Sequence, residues 1–256
     1  MYTVGLDKII LIFIFLFFYL FFVLYHFSIY SYSFSWYNTT FYTFNNILVI
    51  PKIYNEDEIK EVLFGSLLGD GHLEKQIKMT NARFCFTQSI SHYEYFISVW
   101  NIITQISPCT FLKSSYTDKR TNKIYESYSF KTKTHPLYTE FFSYFYKVSE
   151  KNKKKKILPL DLTLLTPLAL AHWIMQDGTK STTGGFYLCT DNFNKEECIR
   201  VSNYLNKKYL LSTSLHKKSK NSWRVYIKAK SFNDLKNLVI RHMDKSMLYK
   251  INIKNV

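Results

Sequence analysis

Between residues 9 and 28 the chain runs for 20 positions without a formal charge, dominated by Ile, Leu and Phe. As a helix this stretch would be roughly 30 Å long, so it is a candidate transmembrane segment. Its uncharged, aromatic character continues to Ile50 with no small-residue cleavage site, a poor fit to a secretory signal. At Pro51 the texture changes. Asn55-Glu-Asp-Glu58 sets acidic residues where the positive end of a helix dipole favours them, and the apolar spacing behind them predicts a helix over residues 56–68. Alternation over residues 83–87 reads as a strand, 92–106 as a helix, 110–113 and 124–133 as strands, and 135–146 as a helix.

A lysine-rich run, Lys151-Asn-Lys-Lys-Lys-Lys156, reads as a charged connection. Thr166-Pro167 then opens a helix with proline at its favoured first position. Beyond it come a strand over 185–190, a helix over 194–210, strands around Ser214 and over 223–228, and a helix from Asn233 into Met247. The pattern predicts the order αββαββα twice. It divides the chain into a hydrophobic extension over 1–50 and two tandem halves, 51–159 and 160–256. Tandem copies allow one chain to make, within itself, a pairing usually made by two identical chains. A monomer with internal pseudo-symmetry is therefore expected.

The net charge is +15, and residues 1–50 hold only Asp7 and Lys8, so the whole excess belongs to the remainder. Such an excess is an electrostatic footprint for a polyanion, nucleic acid first. Cysteines 85, 109, 189 and 198 stand singly, without the spacing that lets two thiolates grip one zinc, and read as reduced core thiols. The richness in Phe, Tyr, Ile, Lys and Asn, with only 7 Gly and 5 Pro, suits an AT-rich organellar genome.

Two segments carry the candidate chemistry: Leu63-Phe-Gly-Ser-Leu-Leu-Gly-Asp70-Gly71 and Leu170-Ala-His-Trp-Ile-Met-Gln-Asp177-Gly178. Each is an apolar helix ending in Asp-Gly, and the aspartates lie 107 positions apart. Phosphodiester hydrolysis needs cations to stabilise charge on phosphate oxygens and to activate water, and carboxylates suit Mg²⁺. Asp70 and Asp177 are the ligands this chemistry would use. Gly65 and Gly69 of the first segment stand where the second has His172 and Gln176. Larger side chains of one helix are thus expected beside glycines of the other. His172, near mid-helix, reads as a packed interface residue rather than a ligand.

These two segments resemble the motifs of the LAGLIDADG homing endonucleases, in their single-chain, two-motif, intron-encoded form. Leu63, Gly65, Leu67, Asp70 and Gly71 match in the first copy, and Leu170, Ala171, Ile174, Asp177 and Gly178 in the second. The words Leu-Thr-Pro167-Leu-Ala-Leu-Ala and Ser246-Met-Leu-Tyr-Lys250 are similar to that family too, and the likeness covers about residues 56–254. The resemblance implies an α+β fold with two saddle-shaped antiparallel sheets and the motif helices packed at its centre. It implies metals held by Asp70 and Asp177 with the backbone carbonyls of Gly69 and Gln176. It also implies that Lys156 and Lys250 sit beside the active site and order its water. Mg²⁺ is the expected cofactor, with Mn²⁺ as a substitute.

For DNA contact, period two sets Arg224, Tyr226 and Lys228 on one face and Trp223, Val225 and Ile227 on the core face. It likewise groups Ser127, Ser129, Lys131 and Lys133. Arg83 and Lys113 lie on the other strand-like runs. The polar hairpin tips add Lys119, Arg120 and Lys123 in one half and Lys217, Lys218 and Lys220 in the other. The leading expectation is a site-specific double-strand endonuclease in a mitochondrion. An intron maturase that binds its own RNA through the same basic surface is the competing reading, and both aspartates favour cleavage. A membrane role would rest on residues 9–28 alone. The abrupt change at Pro51 instead suggests an upstream membrane-protein exon read in frame into an intron.

Overall fold

The computed structural model describes residues 52–150 and 153–253, with the backbone of two short strands before them. The expected transmembrane segment lies outside the described residues. Among the described residues, no helix is long and apolar enough to cross a membrane. The chain divides into a unit ending at Pro51 and one of Lys52–Val256. In the first unit, β1 (Tyr42–Phe44) and β2 (Ile47–Val49) form an antiparallel hairpin with Thr43 opposite Leu48.

In the second unit, Asn55 accepts a hydrogen bond from the Glu58 amide (2.8 Å) while the Glu58 side chain returns one from the Asn55 amide (3.1 Å). This reciprocal cap fixes the start of α1, Glu56–Leu68, where the sequence placed it. There follow β3 (His72–Glu74), β4 (Arg83–Ser89), α2 (Tyr93–Ile103), β5 (Phe111–Asp118), β6 (Lys123–Lys131) and α3 (Pro136–Phe145). A hairpin of β7 (Tyr146–Val148) and β8 (Lys154–Lys156) leads to the second series. That series is α4 (Pro167–Asp177), β9 (Gly178–Lys180), β10 (Phe186–Leu188), α5 (Lys195–Tyr209), β11 (Thr213–Ser219), β12 (Ser222–Ile227) and α6 (Phe232–Val239). The order αββαββα is therefore met twice.

Each series builds one four-stranded antiparallel sheet, in the orders β3-β4-β6-β5 and β9-β10-β12-β11. The two orders correspond strand for strand. One face of each sheet packs on the helices through Phe84, Phe86 and Phe130 in the first, and Phe186, Leu188, Val225 and Ile227 in the second. Around them lies a core rich in aromatic rings, such as the stacked pair Phe86–Phe96 at 6.1 Å.

Four sequence readings differ from this architecture. Strands β3 and β9 span only three residues each, too few to show alternation. Strand β5 runs on to Asp118, through residues 115–118 of the stretch 115–123 that reads as a hairpin tip, because they continue the ladder with β6 (Ser115↔Glu126 to Asp118↔Lys123). The lysine run is not only a connection, since its end pairs with β7 (Tyr146↔Lys156). The last helix stops at Val239: Met243 and Asp244 are extended, and Asp244 caps a new 3₁₀ turn over Lys245–Ile251 by accepting from the Ser246 amide at 2.9 Å.

Candidate active site

Thr166 caps α4 and Pro167 occupies its first turn, while the Thr166 hydroxyl donates to Glu61 of α1 at 2.7 Å. The two motif helices then meet backbone to backbone. A Cβ on Gly65 would lie 2.1 Å from the Ala169 carbonyl oxygen, and one on Gly69 would lie 2.6 Å from Gln176 Oε1. The expected fit of Gln176 beside Gly69 is observed. Gly65 faces Ala169 instead of His172, whose buried ring packs on Tyr95 of α2.

Gln176 spans the helix pair. Its Oε1 accepts from the Asp70 amide at 2.8 Å, and its Nε2 donates to Tyr95 Oη at 2.8 Å and to Ser66 Oγ at 3.1 Å. The second motif thus holds the end of the first. Tyr95 Oη also lies 3.1 Å from His172 Nδ1. Burial pushes the His172 imidazole down to about 3, so it is neutral and acts as a packed acceptor.

Both lysines reach the motif ends. Lys156 Nζ donates to the carbonyls of Gly69 (3.2 Å) and Gly71 (2.8 Å), and Lys250 Nζ to that of Gln176 (2.9 Å). Burial lowers the Lys156 amine to about 8, against the attraction of Asp177 and Asp70. Lys250 shifts in the same direction for the same reasons. The Asp70 carboxylate accepts from Gln88 Nε2 at 2.5 Å. Gln88 did not stand out in the sequence, yet it carries a signal. On β4 the buried face reads Phe84, Phe86, Gln88, and an amide in an apolar register needs a partner.

The Asp177 carboxyl is pushed up to about 6, first by burial and then by the charge of Asp70, with Lys156 and Lys250 opposing. The largely buried Asp177 carboxyl and the exposed Asp70 carboxylate, with two nearby backbone carbonyls, form an all-oxygen set, which fits a hard divalent cation. Each carbonyl that accepts from a lysine keeps a second lone pair. Because the folded protein holds this proton more tightly than the unfolded chain, metal-free stability should fall as pH rises from about 4 through about 6. Metal-free Asp177→Asn is accordingly expected to melt above the wild type at about pH 8, with the difference closing toward about pH 4. Thermal unfolding in chelator checks this, and equal or lower melting at the higher pH would count against it.

A second cluster is not such a centre. His72, Glu74 and Cys85 bring ligating atoms within 4.8 Å of one another. Glu74, however, already accepts from Arg83 (2.6 and 2.9 Å) and Lys131 (3.1 Å). Burial works to raise its carboxyl, but these bonds prevail and hold it at about 2. Burial pushes the Cys85 thiol up to about 12.

The residues expected at DNA fall into three groups. Lys119, Arg120, Lys123, Lys133, Lys217, Lys220 and Lys228 are exposed, most of them near the hairpin tips. Arg83, Lys131, Lys218 and Arg224 are paired: Asp191 accepts from Arg224 (2.7 and 2.9 Å) and Lys218 (2.6 Å), mirroring Glu74 in the first sheet. Lys113 and Tyr226 depart from the expectation. Lys113 lies opposite Tyr128, on the side of Phe111 rather than the open side, and pairs with Glu126 at 2.6 Å. Tyr226 shares the face of Arg224 but is 8% exposed, covered by His216 (centroids 4.5 Å apart) and Tyr187 (4.8 Å).

Residues 60–235 match the LAGLIDADG DNA endonuclease family. The chain is 32% identical over 200 residues to the cytochrome b mRNA maturase bI2 of Debaryomyces hansenii, covering 77% of this chain and 74% of that one. It is 28% identical over 207 residues to the DNA endonuclease I-ChuI of Chlamydomonas applanata, covering 77% and 95%. Among solved structures, the homing endonuclease I-WcaI bound to its DNA recognition sequence aligns with a TM-score of 0.68 at 25% identity, covering 79% of this chain and 89% of that one.

Proposed function

Since the chain belongs to the LAGLIDADG DNA endonuclease family, we propose that it is an organellar, intron-encoded homing endonuclease making a metal-dependent double-strand cut at a long DNA target. The observation that carries this reading is the pair of abutting motif helices. α4 ends in Asp177 and α1 is followed two residues on by Asp70, and each motif has a lysine amine seated on one of its carbonyls. Asp70 and Asp177, with the carbonyls of Gly69 and Gln176, would hold Mg²⁺, or Mn²⁺ in its place. Such a cation supplies Lewis acidity toward phosphate oxygens and a water of lowered pKa.

The chain's own groups supply the rest. Gln176 and Gln88 fix the position and aim of Asp70. Lys156 and Lys250 present positive charge where negative charge develops on the scissile phosphates. The two halves, 51–159 and 160–256, would each read one side of the target through the open face of its sheet, with the exposed lysines of the hairpin tips on phosphates. Arg83 and Arg224, held by Glu74 and Asp191, are oriented before DNA arrives. Lys113 and Tyr226 fall outside this contact set.

The test is incubation of the full chain, in detergent, with the uninterrupted DNA of its host gene. Cutting with Mg²⁺, its loss in chelator, and binding without cutting in Ca²⁺ are expected. No cutting at any candidate insertion site, together with rescue of intron splicing, would favour the RNA maturase reading that the similarity to the Debaryomyces maturase supports. Lys250→Met should slow cutting by about 10²-fold, less than loss of either aspartate, as measured in single-turnover assays.

A further inference from the structure

The hydrogen bond from Gln88 to Asp70 is the last link of a longer chain. A carboxylate oxygen only accepts, so the Gln88 atom 2.5 Å from Asp70 Oδ2 is the amide nitrogen. The amide oxygen therefore faces His92 Nδ1 at 3.2 Å, which must carry the hydrogen. Burial, and next the charge of Lys250, hold the His92 imidazole below its ordinary pKa, so it is neutral. Its Nε2 is left as an acceptor, 3.1 Å from the Tyr249 hydroxyl. Every donor along Tyr249, His92 and Gln88 points toward Asp70. The far end is rooted in the turn that bears Lys250, where Asp244 accepts from Ser246 (2.7 and 2.9 Å) and from Ser98 of α2.

Among the described residues the second half has no equivalent. His72 lies opposite Cys85, and Thr179, two residues past Asp177 as His72 is past Asp70, lies opposite Tyr187. Counting three residues on from each partner sets Thr190 where the first half has Gln88. The Thr190 hydroxyl is shorter and donates instead to the Trp223 carbonyl at 2.7 Å. The counterpart of His92 is Asn194, whose side chain is used in capping α5. Among the described residues, the Asp177 carboxylate accepts no side-chain hydrogen bond.

We infer that His92 and Tyr249 are positioning residues that aim the Asp70 carboxylate through Gln88, and that the two strands of a target are consequently cut at unequal rates. This rests on the endonuclease reading above. A carboxylate with one oxygen fixed is pre-organised for its ligand, whereas one held by no partner must be oriented during each turnover. The strand that depends on Asp70 is cut first, and a singly nicked duplex accumulates.

The experiment uses the full chain on a duplex whose strands carry different labels, so that each strand's rate is read separately. His92→Phe keeps a ring and removes both nitrogens, and Tyr249→Phe removes only the hydroxyl of a half-exposed side chain. His92→Phe should slow the leading strand by about 10- to 100-fold and leave the other within about twofold. Tyr249→Phe should show a smaller loss on that strand alone, and His92→Gln, which restores an amide donor, should recover part of the rate. Equal slowing of both strands, or slowing of neither, overturns the inference. If the wild type cuts neither strand, the endonuclease reading fails with it; if it cuts both strands at one rate and the variants leave them equal, only this inference fails.

Discussion

Asp70→Asn and Asp177→Asn are each expected to lower double-strand cutting by at least about 10³-fold while leaving target affinity within a few-fold of the wild type. The two carboxylates are close enough for the charge of Asp70 to raise Asp177, and neither can take over the other's strand, because each belongs to the end of its own motif. Their removal takes negative charge away from incoming phosphates, so binding has no reason to weaken. Binding measured in Ca²⁺ and cutting measured in Mg²⁺ separate the two effects. A variant that still cuts both strands at the wild-type rate would refute a shared centre. For Asp177→Asn the same protein should be inactive and, without metal, more heat-stable. That combination excludes unfolding as the cause.

Gly65→Ala is the second substitution with a large expected effect, here on stability. In an isolated helix this change is favourable by about 1 kcal/mol. Here the added methyl would sit 2.1 Å from the Ala169 carbonyl oxygen and 2.9 Å from its Cα, and backbone atoms of a packed helix cannot swing aside. Overpacking costs about 1–3 kcal/mol, and a clash with backbone lies toward the upper end, so the loss prevails over the propensity gain. Denaturant unfolding should show a clear fall in midpoint; an unchanged or raised midpoint would mean that the helices are not in backbone contact. Gly69→Ala meets mainly the Gln176 side chain, which has freedom to move, so it should cost less stability and disturb the Asp70 amide instead.

The parts of this molecule that were legible in its sequence are those set by local, repeated physics. The acidic residues after Asn55 and the proline at position 167 mark where the motif helices start, and the alternation of Trp223, Val225 and Ile227 marks which face of β12 is buried. What could not be read there depends on distant partners. Strands of three residues form only because a neighbouring strand is already in place. The family resemblance sets Lys156 beside the active site, whereas its own neighbours read as a charged run; the ladder with β7 that turns it inward is not visible in them. The C-terminal helix ends early because Asp244 finds the Ser246 amide and the Ser98 hydroxyl, a contact that no propensity anticipates. Tyr226 alternates correctly with its neighbours, yet its exposure is decided by His216 and Tyr187 across two other strands. Gln88 is the instructive case, being visible as a polar residue on an apolar face although its partner was not.

The bond from the Asp70 amide to Gln176 also bears on how such proteins can be recombined. The first half cannot finish its own active site, since Gln88 holds the carboxylate of its aspartate but the group that pins that aspartate's amide belongs to the other half, and a side chain at position 69 would crowd that group. Gly69 and Gln176 are therefore a matched pair that must be inherited or transplanted together. A chimera joining this first half to a foreign second half would need a glutamine, or an amide of similar reach, at the position of Gln176. Without it, a hybrid could fold and bind DNA and still misplace one of its two aspartates.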